Sequence, residues 1–363
     1  MFLPLHDTRD NLALIDSAAR AGESALSLTL SAAAASDPAW KPLLDRLEKD
    51  GFPRAHMLTL FGNLGESAYS PAFMGAKITE LYGVRGMSLN SSEETEPELP
   101  EGYKQPLSDV TVGEYRTFTV KYAETLKDLH KQYGVDQNII VALLLVETGL
   151  GSNLGKTPAL RALASMAVVN TPTMLAGGGN AAQGKRINAA RLSATLKSKS
   201  EWAYKELRAL IAYGQKNNAD ISKIPGSVYG AVGICQFMPS NIEPYGVDGD
   251  KDGKVDLFSV VDAMYSAANY LEQHGWRGAK TQEAKLRVLR AYNQDYVYAA
   301  KVLGTSNQLA LADKGKIAAG RNPVVHIPGG GQGYRDPSLR GRRIYVPPSA
   351  RIKSLGSYGD LLR

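Results

Sequence analysis

A single cysteine, Cys235, serves the whole chain of 363 residues. One thiol closes no internal disulfide and finds no second cysteine for a metal site, so no sulfur crosslink is expected to hold this fold together. Cys235 also lies mid-chain, far from any N-terminal lipid-attachment position. Long apolar runs are missing too. The longest strongly apolar stretch, Ile139 to Val146, falls well short of the ~18 residues that a membrane-spanning helix needs. Zinc-finger, RRM-like and Walker patterns are absent, which leaves nothing in the sequence to support nucleic-acid binding.

What is present is an ordinary globular composition, 44% apolar and 21% charged, long enough for two or three domains and a sizeable core. The net charge of +6 is unevenly placed. Residues 314–363 carry ten Lys/Arg against two Asp, so this tail holds +8 and the rest of the chain is close to neutral. Such a tail could touch anionic wall or membrane surfaces, or simply aid solubility. Near the start, Leu26 to Ala35 (LSLTLSAAAA) has some features of an export signal, a short apolar stretch with small residues, yet it follows acidic residues and is broken by polar ones; a plain amphipathic segment reads the same.

Apolar periodicity predicts a mainly helical protein. Trp40, Leu43, Leu44 and Leu47 mark a first helix stopped by Gly51, and two more follow before residue 85. Residues 89–102, acidic with two prolines, read as a loop or linker. One long helix is expected over 110–133, a second after a cap at Asp136 running to Thr148, and others over 155–168, 200–216, 260–274 and 283–303. Residues 171–198 carry little signal and read as a loop or insertion. The divisions expected are a terminal segment 1–35, a helical part 36–105, a core 106–303 and a basic Gly/Pro-rich tail 304–363.

Three places carry chemistry. In IIVALLLVETGLGS, helical spacing sets Glu147 on the same face as Ile139, Ile140, Leu143 and Leu144. A carboxyl on an apolar stripe is costly to ionise and stays protonated toward neutral pH, as a general acid must. Alone, a glutamate bridging at a helix end reads equally well. In GSVYGAVGICQFMPSN, glycines permit close backbone approach, Gln236 offers an amide and Phe237 an apolar face; a tight structural turn is the other reading. In AYNQDYVYAAKVL, Tyr292, Tyr296, Tyr298 and Asn293 gather at a helix start, where ordinary packing would also put them.

Taken together and in this order, Glu-Thr followed by Gly-Ser, then GAVGICQFMPS, then AYN, the motifs resemble the lytic murein transglycosylase B family over about residues 36–303. GKTPALRALASMA and YGVDGDKDGKVDLFSVVDAMYSAANYLEQHGW strengthen the likeness. The resemblance implies a lysozyme-like helical core, Glu147 as the catalytic acid and base, and a sugar groove lined by Ser227, Gln236, Phe237, Tyr270, Tyr292, Asn293 and Tyr298. It implies cleavage of the β-1,4 bond between N-acetylmuramic acid and N-acetylglucosamine in peptidoglycan, with a 1,6-anhydro product and no cofactor in the chemistry. By the logic of the substrate, it also implies a periplasmic or envelope location and a monomer. A hydrolytic muramidase on the same scaffold and a non-catalytic peptidoglycan-binding protein are the rival readings.

In DGDKDG, Asp248, Asp250, Asp252 and Gly253 match the opening positions of a calcium loop, but Ser259 stands where an EF-hand needs Glu. On the motif alone an exposed Asp/Gly turn is as good a reading. The resemblance implies a longer EF-hand-like loop, 248–262, closed by Asp262 and aided by the Lys254 carbonyl, with Ca2+ in a structural role. Residues 169–199 and the tail beyond 303 depart from the family pattern.

Overall fold

The computed structural model describes residues 37–65, 68–84, 107–175 and 189–314. The N-terminal segment, the acidic linker and the bulk of the basic tail lie outside these residues. No described helix is long and apolar enough to cross a membrane.

The described residues are mostly helical, in twelve α-helices: α1 Lys41–Lys49, α2 Arg54–Gly62, α3 Ala72–Thr79, α4 Asp109–Lys121, α5 Ala123–Tyr133, α6 Gln137–Thr148, α7 Ala159–Val168, α8 Ala189–Asn217, α9 Ile242–Tyr245, α10 Val260–Gln273, α11 Gln282–Tyr292 and α12 Tyr296–Asp313. Helix α6 is the hub. Ile139 through Leu144, Val146 and Thr148 are all buried, so it is covered on nearly every side rather than presenting one apolar stripe. Helix α12 lies along α6, α11 packs on α12, and α7 packs on α8. One continuous core joins them. The β structure among the described residues is small. β1 (Thr157–Pro158) pairs antiparallel with β2 (Pro225–Gly226), and bridges Gly226 to Val232 and Val232 to Phe237 fold the glycine-rich segment back on itself.

The helix ends follow local chemistry. Gly149 takes the left-handed conformation at φ 58° and closes α6 just past Glu147. Thr281 and Asp295 accept N–H bonds from Ala284 and Val297 and so cap α11 and α12.

Several boundaries differ from expectation. The helix expected over 110–133 is broken at Tyr122, where φ –111° and ψ 25° leave the helical region. The helix expected over 283–303 is broken at Asn293–Asp295, and its second part continues past 303 to Asp313. The long α8 starts at Ala189, inside the stretch read as a loop or insertion. Asp136 makes no capping bond to α6; its carboxylate sits 3.3 Å from His130 Nδ1 instead.

Candidate active site

Glu147 occupies the last turn of α6, where the helix must stop at Gly149. Part of its side chain reaches the surface, but burial dominates its carboxyl and pushes its pKa up to about 7. Two groups pull the other way. The Tyr298 hydroxyl, from the first turn of α12, donates a short hydrogen bond to Glu147 Oε1, and the charge of Lys301 lies near enough to act on it. No second carboxylate figures among the groups that shift it.

The glycine-rich segment is stitched to this helix end. Thr148 Oγ1 donates to the Ile234 carbonyl at 2.8 Å and accepts from Gly151 N at 3.0 Å. Tyr292 OH donates to the Cys235 carbonyl at 2.5 Å. Gly233 sits at φ +77°, where an added Cβ would lie 2.4 Å from Leu257 Cβ, so only glycine lets the segment dock there. Gln236 adopts φ 51°, a left-handed position that costs a non-glycine residue ~1 kcal/mol or more. Its amide donates to the Gly233 carbonyl at 2.9 Å, which leaves the side-chain oxygen for other donors. Burial pushes the Cys235 thiol up to about 12, and it stays an inert packing group.

The residues expected in the groove divide into two sets. Tyr298, Tyr292, Gln236, Asn293 and Ser227 are half-buried. Asn293 Oδ1 accepts from Asp295 N at 3.2 Å. Ser227 Oγ accepts from the Ala231 and Tyr229 N–H groups, which closes its own turn and leaves its O–H to donate. Phe237 and Tyr270 are different. They are 1% and 5% exposed, with ring centroids 5.7 Å apart, and Tyr292 packs on both. Phe237, expected to offer an apolar face to a sugar, is buried here and packs its ring against Tyr270 and Tyr292. Tyr270 is likewise held inside, donating to the Ala291 carbonyl at 2.7 Å and stacked on His274 at 4.0 Å.

Two contributors escape sequence reasoning. Glu206, buried on α8, accepts from Ser240 N and Oγ, both at 2.9 Å, and so fixes the turn that follows Gln236 and Phe237. Lys301 is the other; its signal was a lone lysine within the apolar run Ala299 to Leu303.

In the acidic loop, carboxylate oxygens of Asp248, Asp250 and Asp262 all lie within 4.8 Å of one another. Asp262, 1% exposed in the first turn of α10, accepts N–H bonds from Gly249 and Asp250 through Oδ1 and from Asp256 through Oδ2. Three oxygen donors of this kind suit a hard divalent cation. Asp252, also expected among the ligands, is not part of this group; its Oδ1 accepts the Lys254 N–H at 2.9 Å.

A mostly helical, lysozyme-like fold with one desolvated carboxyl at the end of its central helix defines the class. The profile of the transglycosylase SLT domain matches residues 36–320, and the chain belongs to that family. The membrane-bound lytic murein transglycosylase B of Escherichia coli (strain K12) is 33% identical over 159 residues, which is 44% of this chain and 37% of that protein's length. Among solved structures, the E. coli lytic transglycosylase SLT35 in complex with calcium superposes with a TM-score of 0.54 at 22% identity, over 76% of this chain and 94% of that one. SltB3 from Pseudomonas aeruginosa in complex with NAG-anhNAM-pentapeptide gives 0.52 at 18% identity, over 80% and 82%. At these identities the structural likeness speaks for the fold.

Proposed function

We propose that the protein is a lytic transglycosylase of peptidoglycan in which Glu147 alone serves as acid and then as base. The observation that carries this reading is the surroundings of Glu147: one desolvated carboxyl, a tyrosine hydroxyl donating to it and, among the described residues, no second carboxylate acting on it. A pKa of about 7 keeps the carboxyl protonated at mildly acidic pH. It first gives its proton to the glycosidic oxygen between N-acetylmuramic acid and N-acetylglucosamine. The C1–O bond breaks and the muramic ring takes on oxocarbenium character. The carboxylate left behind, still bonded to Tyr298, then takes the proton of the muramic C6 hydroxyl. That oxygen closes on C1, giving a 1,6-anhydro end and returning Glu147 to its acid form.

Glycosidases that use water or a covalent intermediate need a second carboxylate. Here the nucleophile belongs to the substrate and is held within reach, which replaces that group. Asp295, the nearest acidic residue in sequence to the tyrosine cluster, is occupied in capping α12. Gln236, Asn293 and the free O–H of Ser227 supply hydrogen bonds for acetamido and hydroxyl groups, while Tyr292 and Tyr298 border the sugar. That SltB3 was solved with an anhydro-muramyl ligand fits the same product for this chain.

Asp248, Asp250 and Asp262 would hold a calcium ion, which supplies a structural link between the loop and α10 and no chemistry. With peptidoglycan as substrate, the place of work is the periplasm or envelope.

The test is digestion of purified peptidoglycan followed by mass spectrometry. Anhydro ends are expected, each lighter by one water than the reducing ends a muramidase leaves. Glu147→Gln should keep fold and glycan binding and slow cleavage by ~10²-fold or more. Activity should decline as pH rises through about 7, because the acid form is lost there. Reducing ends, or native cleavage by Glu147→Gln, would defeat the reading.

A further inference from the structure

The steps above leave Lys301, whose amine is buried beside the site, unused. Lys301 follows Tyr298 by one turn on α12, so both side chains leave the same face of that helix. Helix α12 lies along α6, and Tyr298 already reaches Glu147 from it. The Lys301 amine nitrogen is sealed from solvent, and the residue lies in a run, Ala299 to Leu303, whose other members are apolar.

We propose that Lys301 is a positioning residue for the acid–base cycle, an internal cation that keeps the carboxylate form of Glu147 accessible once the first proton has left. The proposal rests on the role of Glu147 given above. A carboxyl enclosed by apolar groups holds its proton well but becomes an uncompensated buried charge when it donates. A neighbouring ammonium lowers that cost, so the same group can act as a base half a cycle later. The fields are mutual. Lys301 pulls Glu147 down and Glu147 pulls Lys301 up, while burial brings Lys301 to about 7, so the two titrate as a pair.

Other titratable groups lie near this pair or on the helices around it. From the glycine-rich segment, α11 and α10 come Cys235, Tyr292 and Tyr270, each held neutral by burial. Helix α11 also carries Glu283, Lys285, Arg287 and Arg290, and α4 carries Glu114, Tyr115, Arg116 and Lys121. Tyr115 is bonded to Asp313, roughly 18 Å along α12 from Lys301 at 1.5 Å per residue. The charge of Glu147 acts on Lys301.

The experiment compares Lys301→Met and Lys301→Arg in the full chain, by carbon NMR titration of the Glu147 carboxyl without glycan and by the pH profile of peptidoglycan cleavage. In Lys301→Met the Glu147 titration and the alkaline limb of activity should both rise by roughly one to two pH units, the effect of losing an adjacent opposite charge. In Lys301→Arg, whose charge cannot be lost, both should move below the native position. A folded Lys301→Met protein that titrates Glu147 as the native one does overturns the proposal. If Lys301→Met does not fold, an unmoved titration in Lys301→Arg overturns it equally. The NMR arm needs no cleavage, so failure of the transglycosylase reading would be seen separately, in the product analysis.

Discussion

Two carboxyls at helix ends show how differently this protein treats the same chemical group. Glu147 closes the C-terminal end of α6, and Asp262 lies in the first turn of α10. Burial pushes both upward in pKa. They part in what surrounds them. Asp262 is held by three backbone N–H groups and faces Asp250, whose like charge pushes it further up. Glu147 has one hydroxyl donor and a cation, Lys301. Asp262 is fixed in place and clustered with the carboxylates of Asp248 and Asp250, the arrangement from which calcium binding is proposed. Glu147 carries its own cation and few bonds, so its proton can come and go. Donors and neighbours, more than burial, separate the two carboxyls.

The widest break in that contrast is Asp262→Ala. It strands the N–H groups of Gly249, Asp250 and Asp256 in a partly buried loop, and each buried orphan costs about 1–3 kcal/mol unless water reaches it. A loss of ~3 kcal/mol is expected, seen in thermal unfolding as a drop on the order of 10 °C. Asp262→Asn, which keeps one acceptor oxygen, should lose less. If Asp262→Ala unfolds at the native temperature, the carboxylate is not organising the loop.

Tyr298→Phe sharpens the other side. The hydroxyl stabilises the charged form of Glu147, so its removal raises the carboxyl's pKa and makes the base step harder. A hydrogen bond to a charged group is worth about 1.5–3 kcal/mol, so cleavage should fall roughly ten- to a hundredfold while the alkaline limb moves to higher pH. Stability should change little, because the lost contact is to a group already costly to bury. Native activity at every pH would remove Tyr298 from the site.

The sequence carried the contrast only in part. The desolvation of Glu147 was readable because a charged residue interrupts an apolar run, though its proposed role came only with the resemblance; the helical class was readable because 137–148 is continuously apolar and apolar spacing is strong in 260–273. The helix breaks at Tyr122 and at Asn293–Asp295 were not, since neither site has a proline or glycine; the second depends on Asp295 turning to cap α12. The burial of Phe237 was not legible, because the rings that cover it, Tyr270 and Tyr292, come from helices far along the chain. Lys301 sat in plain view, but its partner lies far back in the chain, and only the packing of α12 on α6 brings them together.

The smallest effect expected is also the one that best isolates the two regions. If Asp248, Asp250 and Asp262 hold calcium, millimolar calcium should raise the melting temperature by a few degrees. That corresponds to about 1 kcal/mol for a site of roughly 10⁻⁴–10⁻³ M affinity. Asp248→Ala should abolish the rise, since it removes one of the three clustered carboxylates while leaving the N–H groups bonded to Asp262 intact. Titration calorimetry should show heat for the native protein and none for the variant. Below the melting transition a chelator should leave the cleavage rate nearly unchanged, because the loop's contact with the glycine-rich segment, the Ile234 N–H bonded to the Leu257 carbonyl at 2.8 Å, is a backbone bond that does not involve the three clustered carboxylates. A chelator that slowed cleavage in the folded protein would show that the two carboxyls are coupled, and an absence of calcium heat in the native protein would reduce the loop to an acidic turn held by its own backbone.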